Sequence, residues 1–369
     1  MINFKQQLED IRAQHLYRQR KVVANGQATC VEIDGKTVVN FCANDYLSLA
    51  NHPQVREALK QGVDRYGVGS GASHLVSGHS TAHHQLEEAL AEYTNQQRAL
   101  LFSTGYSANL GVFSALRDEL DWVLQDKLNH ASLIDANQLT GLPLKRYRHN
   151  DVSALEQKLE KQSGSGLVVT DHVFSMDGDR ADITAISQLT QASDALLMQD
   201  DAHGFGVFTP NIPQGSIYMA TLGKAAGVSG AFVAGDEDLI EFLIQKSRPY
   251  VYTTATSPAL CVATLKSLEL IQQGEQREKL MANIALFKQY AKDLSLPIEA
   301  SDSAIQPLIV GDSHRALSLS QHLFEQGFYV SAIRPPTVPP KTARLRITLS
   351  AAHTQTQIEQ LLERISHAL

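Results

Sequence analysis

The sequence predicts an α/β fold: a mostly parallel seven-stranded sheet covered on both faces by helices, joined to a smaller C-terminal α+β domain. Three observations carry this. Between about residues 50 and 235, short apolar runs alternate with amphipathic stretches, the pattern of buried strands separated by helices. Beyond residue 300 the pattern changes to three strand candidates and two helices. The length, 369 residues, allows roughly two to three domains with a large core.

Composition narrows the function. The 32 basic and 39 acidic side chains leave a net charge of −7, which is no polyanion-binding signature, so nucleic acid and anionic membrane are excluded and a small substrate is expected. Cys30, Cys42 and Cys261 are odd in number without CxxC spacing, against a disulfide framework or zinc knuckle, and read as buried thiols. The N-terminus lacks the apolar core of a signal peptide, and no apolar run reaches the ~18–20 residues that span a bilayer. A cytoplasmic protein is expected.

In chain order, residues 3–20 have helical spacing and end in Arg18-Gln19-Arg20, an arm for another surface with Arg20 free to meet an anion. A hairpin follows over 28–33 and 37–41, turned at Asp34-Gly35. Strands are expected at 99–103, 122–125, 142–148, 167–170, 195–199, 217–221 and 231–234, with helices at 81–93, 107–116, 131–139, 152–161 and 183–192. A long helix runs from Pro258 to about Leu294, then strands at 305–310, 329–333 and 345–349 alternate with helices at 313–326 and 354–369. This divides the chain into an arm and hairpin (1–42), a large domain (43–270) and a C-terminal domain (271–369).

In such sheets ligands bind at the carboxyl ends of the strands. After the strand at 99 comes Ser103-Thr104-Gly105-Tyr106-Ser107, a small-residue turn opening a helix and suited to phosphate; without a ligand it is a plain helix cap. After the strand at 122 comes Asn129-His130-Ala131-Ser132, whose imidazole can stack on a flat ring or serve packing alone. After the strand at 167 comes Asp171-His172-Val173-Phe174-Ser175, and after the strand at 195, Asp200-Asp201-Ala202-His203-Gly204. A carboxylate buried at a strand end calls for a cation, and a protonated pyridine nitrogen is one; a helix cap or metal site is the bland alternative. Lys224 follows Thr221 in a loop of glycines and small residues, where a partly desolvated amine becomes a nucleophile. Aspartate, histidine, phosphate turn and lysine at successive strand ends describe a site for pyridoxal 5'-phosphate.

These and longer runs, among them Asn44-Asp45-Tyr46-Leu47, Phe174-Ser175-Met176-Asp177-Gly178, Ala332-Ile333-Arg334-Pro335-Pro336-Thr337 and Ala343-Arg344-Leu345-Arg346, make the chain resemble the α-oxoamine synthase family of fold-type I pyridoxal phosphate enzymes over nearly its whole length. The resemblance implies a homodimer with the active site at the subunit interface. It implies Lys224 as the covalent anchor, Asp200 on the pyridine nitrogen, His203 on the ring oxygen, His130 stacked on the ring, and Ser175 facing the cofactor. Gly105, Tyr106 and Thr221 would hold the phosphate, with Thr253 or Thr254 reaching it from the other subunit. Arg346, assisted by Asn44, would bind the amino-acid carboxylate, with Arg344 the other candidate on the same strand face; Arg20, Arg334 and Thr337 would meet the acyl substrate. The later runs lie nearest the branch serving biotin synthesis, which implies L-alanine and a pimeloyl thioester carried on coenzyme A or a carrier protein. Other members join glycine to acetyl-CoA or succinyl-CoA, or serine to a long acyl thioester.

Three departures from that pattern stand out: Ala225-Ala226 after Lys224, a short segment over 208–217, and Phe205 where a small or hydroxyl residue is common. Gly67-Val68-Gly69-Ser70-Gly71-Ala72 matches a relaxed dinucleotide fingerprint but follows a helical rather than a strand pattern. His74, His79, His83 and His84 cluster without an obvious carboxylate, and no metal is expected.

Overall fold

The computed structural model describes residues 2–299 and 301–369; Met1 and Ala300, which fall in the expected first and third domains, lie outside the described residues. Two compact units emerge. One holds residues 52–175 and 179–274; the other holds the residues before 52, Met176–Gly178 and Glu275–Leu369.

The second of these opens with a helix at Phe4–Ala13 that is shorter than its spacing suggested: the chain leaves it at Gln14 and turns at His15, φ 56°. None of its residues is buried. The hairpin β1 (Cys30–Ile33) and β2 (Lys36–Asn40) turns at Asp34 and Gly35, both with positive φ, the two-residue geometry that matches strand twist.

The larger unit carries β3 (Arg98–Phe102), β4 (Trp122–Asp126), β5 (Leu144–Tyr147), β6 (Gly166–Asp171), β7 (Leu196–Asp200), β8 (Ile217–Thr221) and β9 (Ala231–Gly235), in the order β3-β9-β8-β7-β6-β4-β5. Neighbours from β8 to β5 pair parallel, and β9 pairs antiparallel with both β8 and β3. Only β9 therefore opposes the rest, and the carboxyl ends of β3, β4, β6, β7 and β8 share one edge. Successive side chains point to opposite faces: Leu167 and Val169 enter one apolar cluster, with helices Gly105–Leu116 and Ala131–Thr140, while Val168 enters the other, with Val152–Leu159 and Ile183–Ala192. Burial on both faces explains why these strands read as continuous apolar runs. Each fully buried aliphatic side chain contributes about 1.5–3 kcal/mol.

Two C-terminal expectations change. Gly274, φ 83°, ends a helix at Pro258–Gln273, and a separate helix runs Glu275–Asp293, because a left-handed glycine closes a helix end. In the smaller unit, β10 (Ile305–Gly311) is followed by two short strands instead of one over 329–333: β11 (Phe328–Tyr329) pairs with β2, and β12 (Ser331–Ile333) pairs with β13 (Ala343–Thr348). The Val330 carbonyl between them accepts from Ser320 Oγ at 2.6 Å, so one apolar run is divided between two sheets. The cysteines are free, yet only Cys261 is buried; Cys30 faces outward at the start of β1.

At the end of β5, His149 donates from Nδ1 to Asp126 and from Nε2 to Asp179, each at 2.9 Å, and meets Phe174 edge-on at 4.4 Å. Burial opposes its charge, but the two carboxylates outweigh burial and push the imidazole up to about 10. With a folded pKa above the unfolded value of ~6.5, the stabilisation is full below about pH 6.5 and is lost as pH rises through the folded value. The urea midpoint should fall across that window and fall less in His149→Gln; parallel profiles for the two proteins would contradict the clamp.

Candidate functional site

At the shared strand edge a cavity of about 200 Å³ is lined by Gly105, Tyr106, Asn109, His130, Ser132, Asp171, Val173, Ser175, Asp200, Ala202, His203, Met219, Thr221 and Lys224. Eight of the expected cofactor residues thus converge within one unit: Lys224, Asp200, His203, His130, Ser175, Gly105, Tyr106 and Thr221.

Lys224 is held by its loop. Gly227 N–H donates to the Lys224 carbonyl at 2.8 Å, and Leu222 N–H to Gly230; Gly227 and Gly230 have positive φ. Ala225 and Ala226 are buried, and the Ala226 carbonyl accepts from Ser267 Oγ at 2.6 Å. Small side chains are what this tucked-in backbone can accommodate. The amine of Lys224 lies 2.8 Å from His203 Nε2.

Asp200, at the end of β7, is almost fully buried. One oxygen accepts from Asn109 Nδ2 at 2.9 Å and the other from Ala202 N–H at 3.0 Å. Burial raises its pKa, opposed by the Asn109 hydrogen bond and by the positive charge of Lys224. Register places Asp171 of β6 directly beside it. Asp171 is held well above the usual carboxylate range by burial and by Asp200; one oxygen accepts from His130 N–H at 3.1 Å and the other has no partner. His130 caps helix Ala131–Thr140, its Nδ1 2.7 Å from Ser132 Oγ; burial lowers its pKa and keeps the ring neutral. Asp201 turns the other way, to His172 Nδ1 and the Tyr218 hydroxyl, both at 2.7 Å, so the second aspartate of the pair is a satisfied core group and not a metal ligand.

Opposite these, Gly105 and Tyr106 open a helix capped by Thr104; first-turn N–H groups have no carbonyl one turn before them. A Cβ built on Gly105 comes 3.8 Å from Thr221 Cβ. The Tyr106 hydroxyl is engaged with Asp135.

The donor set fits pyridoxal phosphate: an amine for the aldehyde, a buried carboxylate for a ring N–H, a neutral imidazole, and a helix N-terminus with a threonine for the phosphate. Asp171, in the segment whose polar side chains are expected to line this crevice, does line it, whereas Asn109 has no role assigned by the sequence. Asn109 stands one turn after Gly105, and Asp171 ends its strand as Asp200 does; helix phase and strand position are the signals that point to them.

Other expected residues are placed elsewhere. Thr254 is exposed, bridges to Ser73 and is not among the lining residues. In the smaller unit, buried Arg346 donates to Asn44 Oδ1 at 3.1 Å and Thr348 Oγ1 at 3.0 Å, while Arg344 is ion-paired with Asp177. Arg334 donates to the carbonyls of His15 and Tyr17, Arg18 donates to Thr337 Oγ1 at 3.3 Å, and Arg20 is exposed.

The chain belongs to the family described as aminotransferase class I and II, which matches residues 36–365. It is 55% identical to the 8-amino-7-oxononanoate synthase of Pseudomonas fluorescens over 96% of this chain and 94% of the relative. Among solved structures it is similar to the 8-amino-7-oxononanoate synthase of Francisella tularensis (TM-score 0.78, 32% identity, covering 89% of this chain and 97% of that one). It is also similar to a serine palmitoyltransferase from S. paucimobilis with a bound PLP–myriocin aldimine (TM-score 0.90, 27% identity, covering 99% and 96%).

Borohydride treatment of the protein incubated with pyridoxal phosphate should fix the cofactor to the peptide containing Lys224. Lys224→Ala should retain none after denaturation, and a trapped cofactor in that variant would remove Lys224 as the anchor.

Proposed function

We propose that this chain condenses L-alanine with a pimeloyl thioester, with loss of carbon dioxide, to give 8-amino-7-oxononanoate, using pyridoxal phosphate. The near full-length identity to synthases of that name carries the reading, and the strand-end cavity gives it its chemistry. When bound, pyridoxal phosphate supplies an electron sink for the charge left when a bond at the alanine Cα breaks.

The protein's part is positioning and proton transfer. The amine of Lys224 takes the Cα proton and later returns one at the same carbon. His203, 2.8 Å from that amine, orients it. Asp200, with its oxygens aimed by Asn109 and Ala202, would hold a protonated ring nitrogen. His130, whose pKa is lowered by burial, would offer a flat face, and Ser175 a hydroxyl. The first-turn N–H groups at Gly105 and Tyr106, with Thr221, would take the phosphate. The new bond joins the alanine Cα to the thioester carbonyl carbon and expels the thiol; the resulting β-keto acid then loses its carboxylate as carbon dioxide.

Arg346 receives the alanine carboxylate. Of the two arginines on β13, Arg346 lies beside Asn44, the residue expected to assist it, and donates to its Oδ1 at 3.1 Å, while Arg344 is ion-paired with Asp177. Arg334, Thr337 and Arg20 receive the acyl end, and Thr254 serves the phosphate of a second copy. A homodimer is part of this reading. Phe4, Leu8 and Ile11 are exposed at helical spacing in one unit, and Val68, Leu75, Val76 and Tyr252 in the other, surfaces a second copy would cover. No described helix is long and apolar enough to cross a membrane; with three free cysteines, a cytoplasmic location completes the proposal.

A panel of amino acids against pimeloyl-CoA and pimeloyl carrier protein, read by product mass, should give the alanine product and name the carrier. Preference for glycine or serine would overturn the substrate assignment. Arg346→Ala should raise the KM for alanine by roughly 30-fold or more, the loss of a charged hydrogen bond worth about 2 kcal/mol. An unchanged KM would move the carboxylate site elsewhere.

A further inference from the structure

The imidazoles around the start of helix Thr81–Thr94 take no part in this chemistry. The sequence offers four histidines there and no obvious carboxylate to complete them; folding brings up Glu87. Glu87, two turns into the helix, brings Oε2 to 3.8 Å from His79 Nε2. One ligand atom each from His79, His84 and Glu87 lie within 4.8 Å of one another. His84 and Glu87 are three apart on one helix and share a face, while His79 precedes the Ser80 cap.

Two of the donors are already oriented. Glu87 Oε1 accepts from Leu101 N–H at 3.0 Å, which leaves Oε2 for His79. His79 Nδ1 lies 2.9 Å from His74 Nδ1. His74 in turn stacks on Tyr250 at 4.9 Å. In the tautomer where His79 donates Nδ1–H to His74, its Nε2 presents a lone pair toward Glu87. A ligand whose far nitrogen is hydrogen-bonded and whose carboxylate neighbour is tied to backbone is the supporting shell that fixes protein-bound zinc. His83 is spent elsewhere: Nε2 is 2.7 Å from the Thr256 carbonyl and Nδ1 is bonded to Ser80. His84 is exposed, its Nε2 3.3 Å from Glu88 Oε1.

We propose that His79, His84 and Glu87 form a binding site for a divalent transition metal, best matched by zinc, apart from the cofactor cavity, whose lining includes none of them. Two imidazoles and one carboxylate are a zinc donor set that leaves a fourth position for water. The ion ties the turn His74–Gly78 and the loop to Ser80 onto the helix.

The test is calorimetric titration of the cofactor-loaded enzyme with zinc chloride, with thermal melting and the visible cofactor spectrum followed in parallel. The expected result is one zinc per chain, a raised melting temperature and an unchanged spectrum. His84→Ala, at an exposed position that folding does not need, should weaken binding by roughly 10-fold or more, and His74→Gln by roughly 10-fold through the orientation of His79. No saturable uptake, an affinity unaltered in His84→Ala, or a spectrum that shifts on adding zinc would each overturn the site.

Discussion

Burying the carboxyl group of Asp200 at the end of a central strand is the constraint on which the larger unit's chemistry depends. An ionised carboxylate stripped of water is costly unless its oxygens are satisfied and a cation is near. The fold meets the first demand with Asn109 and the Ala202 N–H, and leaves the second to Lys224 and to whatever enters the cavity. The register that sets Asp171 beside Asp200 sharpens the demand, since two adjoining buried carboxyls cannot both ionise cheaply. A pocket with this imbalance favours a ligand that carries a positive ring nitrogen.

The one opposing strand in the sheet matters to the same end. Because only β9 runs against the rest, the ends of β3, β4, β6, β7 and β8 deliver Gly105, His130, Asp171, Asp200 and Lys224 to one edge from segments more than a hundred residues apart. Each residue is fixed by its strand's place in the sheet, so the spacing between functional groups is set by inter-strand distance and pleat, not by flexible loops.

That regularity is why so much could be read in the sequence. Doubly buried strands appear as short apolar runs, and the residue after each run is the one to inspect; Lys224, Asp200, His203 and His130 were found in this way and meet in one cavity. What stayed hidden depends on three-dimensional phase. Asp171 acquires its weight only from its register with Asp200, and Asn109 from the turn of a helix whose start a sequence places within a residue or two. Glu87 joins His79 and His84 only once the chain before Ser80 has folded back. The run at 329–333 reads as one strand with no sign that it divides between two sheets, and Gly274, taken into a single helix from Pro258 to about Leu294, is the residue that breaks it.

The departures around Lys224 form a single adjustment. The connection from β7 to β8, residues 201–216, has turns but no helix, so a crossover between parallel strands lacks the element that commonly covers the sheet. The connection instead buries an aromatic side chain, Phe205. Phe205 packs edge-on against Tyr93 and against Phe232, both at 5.4 Å, and Tyr218 lies 5.9 Å from Phe232. Tyr218 in turn holds Asp201, which also holds His172. A hydroxyl residue in place of Phe205 would leave a void in this cluster, and the cost would fall on the strand end that carries Asp200. Ala225 and Ala226 serve the neighbouring loop similarly, being small enough for its backbone to accept the Ser267 hydrogen bond from within the core. Phe205, Ala225 and Ala226 are thus buried, packed residues of the elements that flank the cavity, and none of the three lines it.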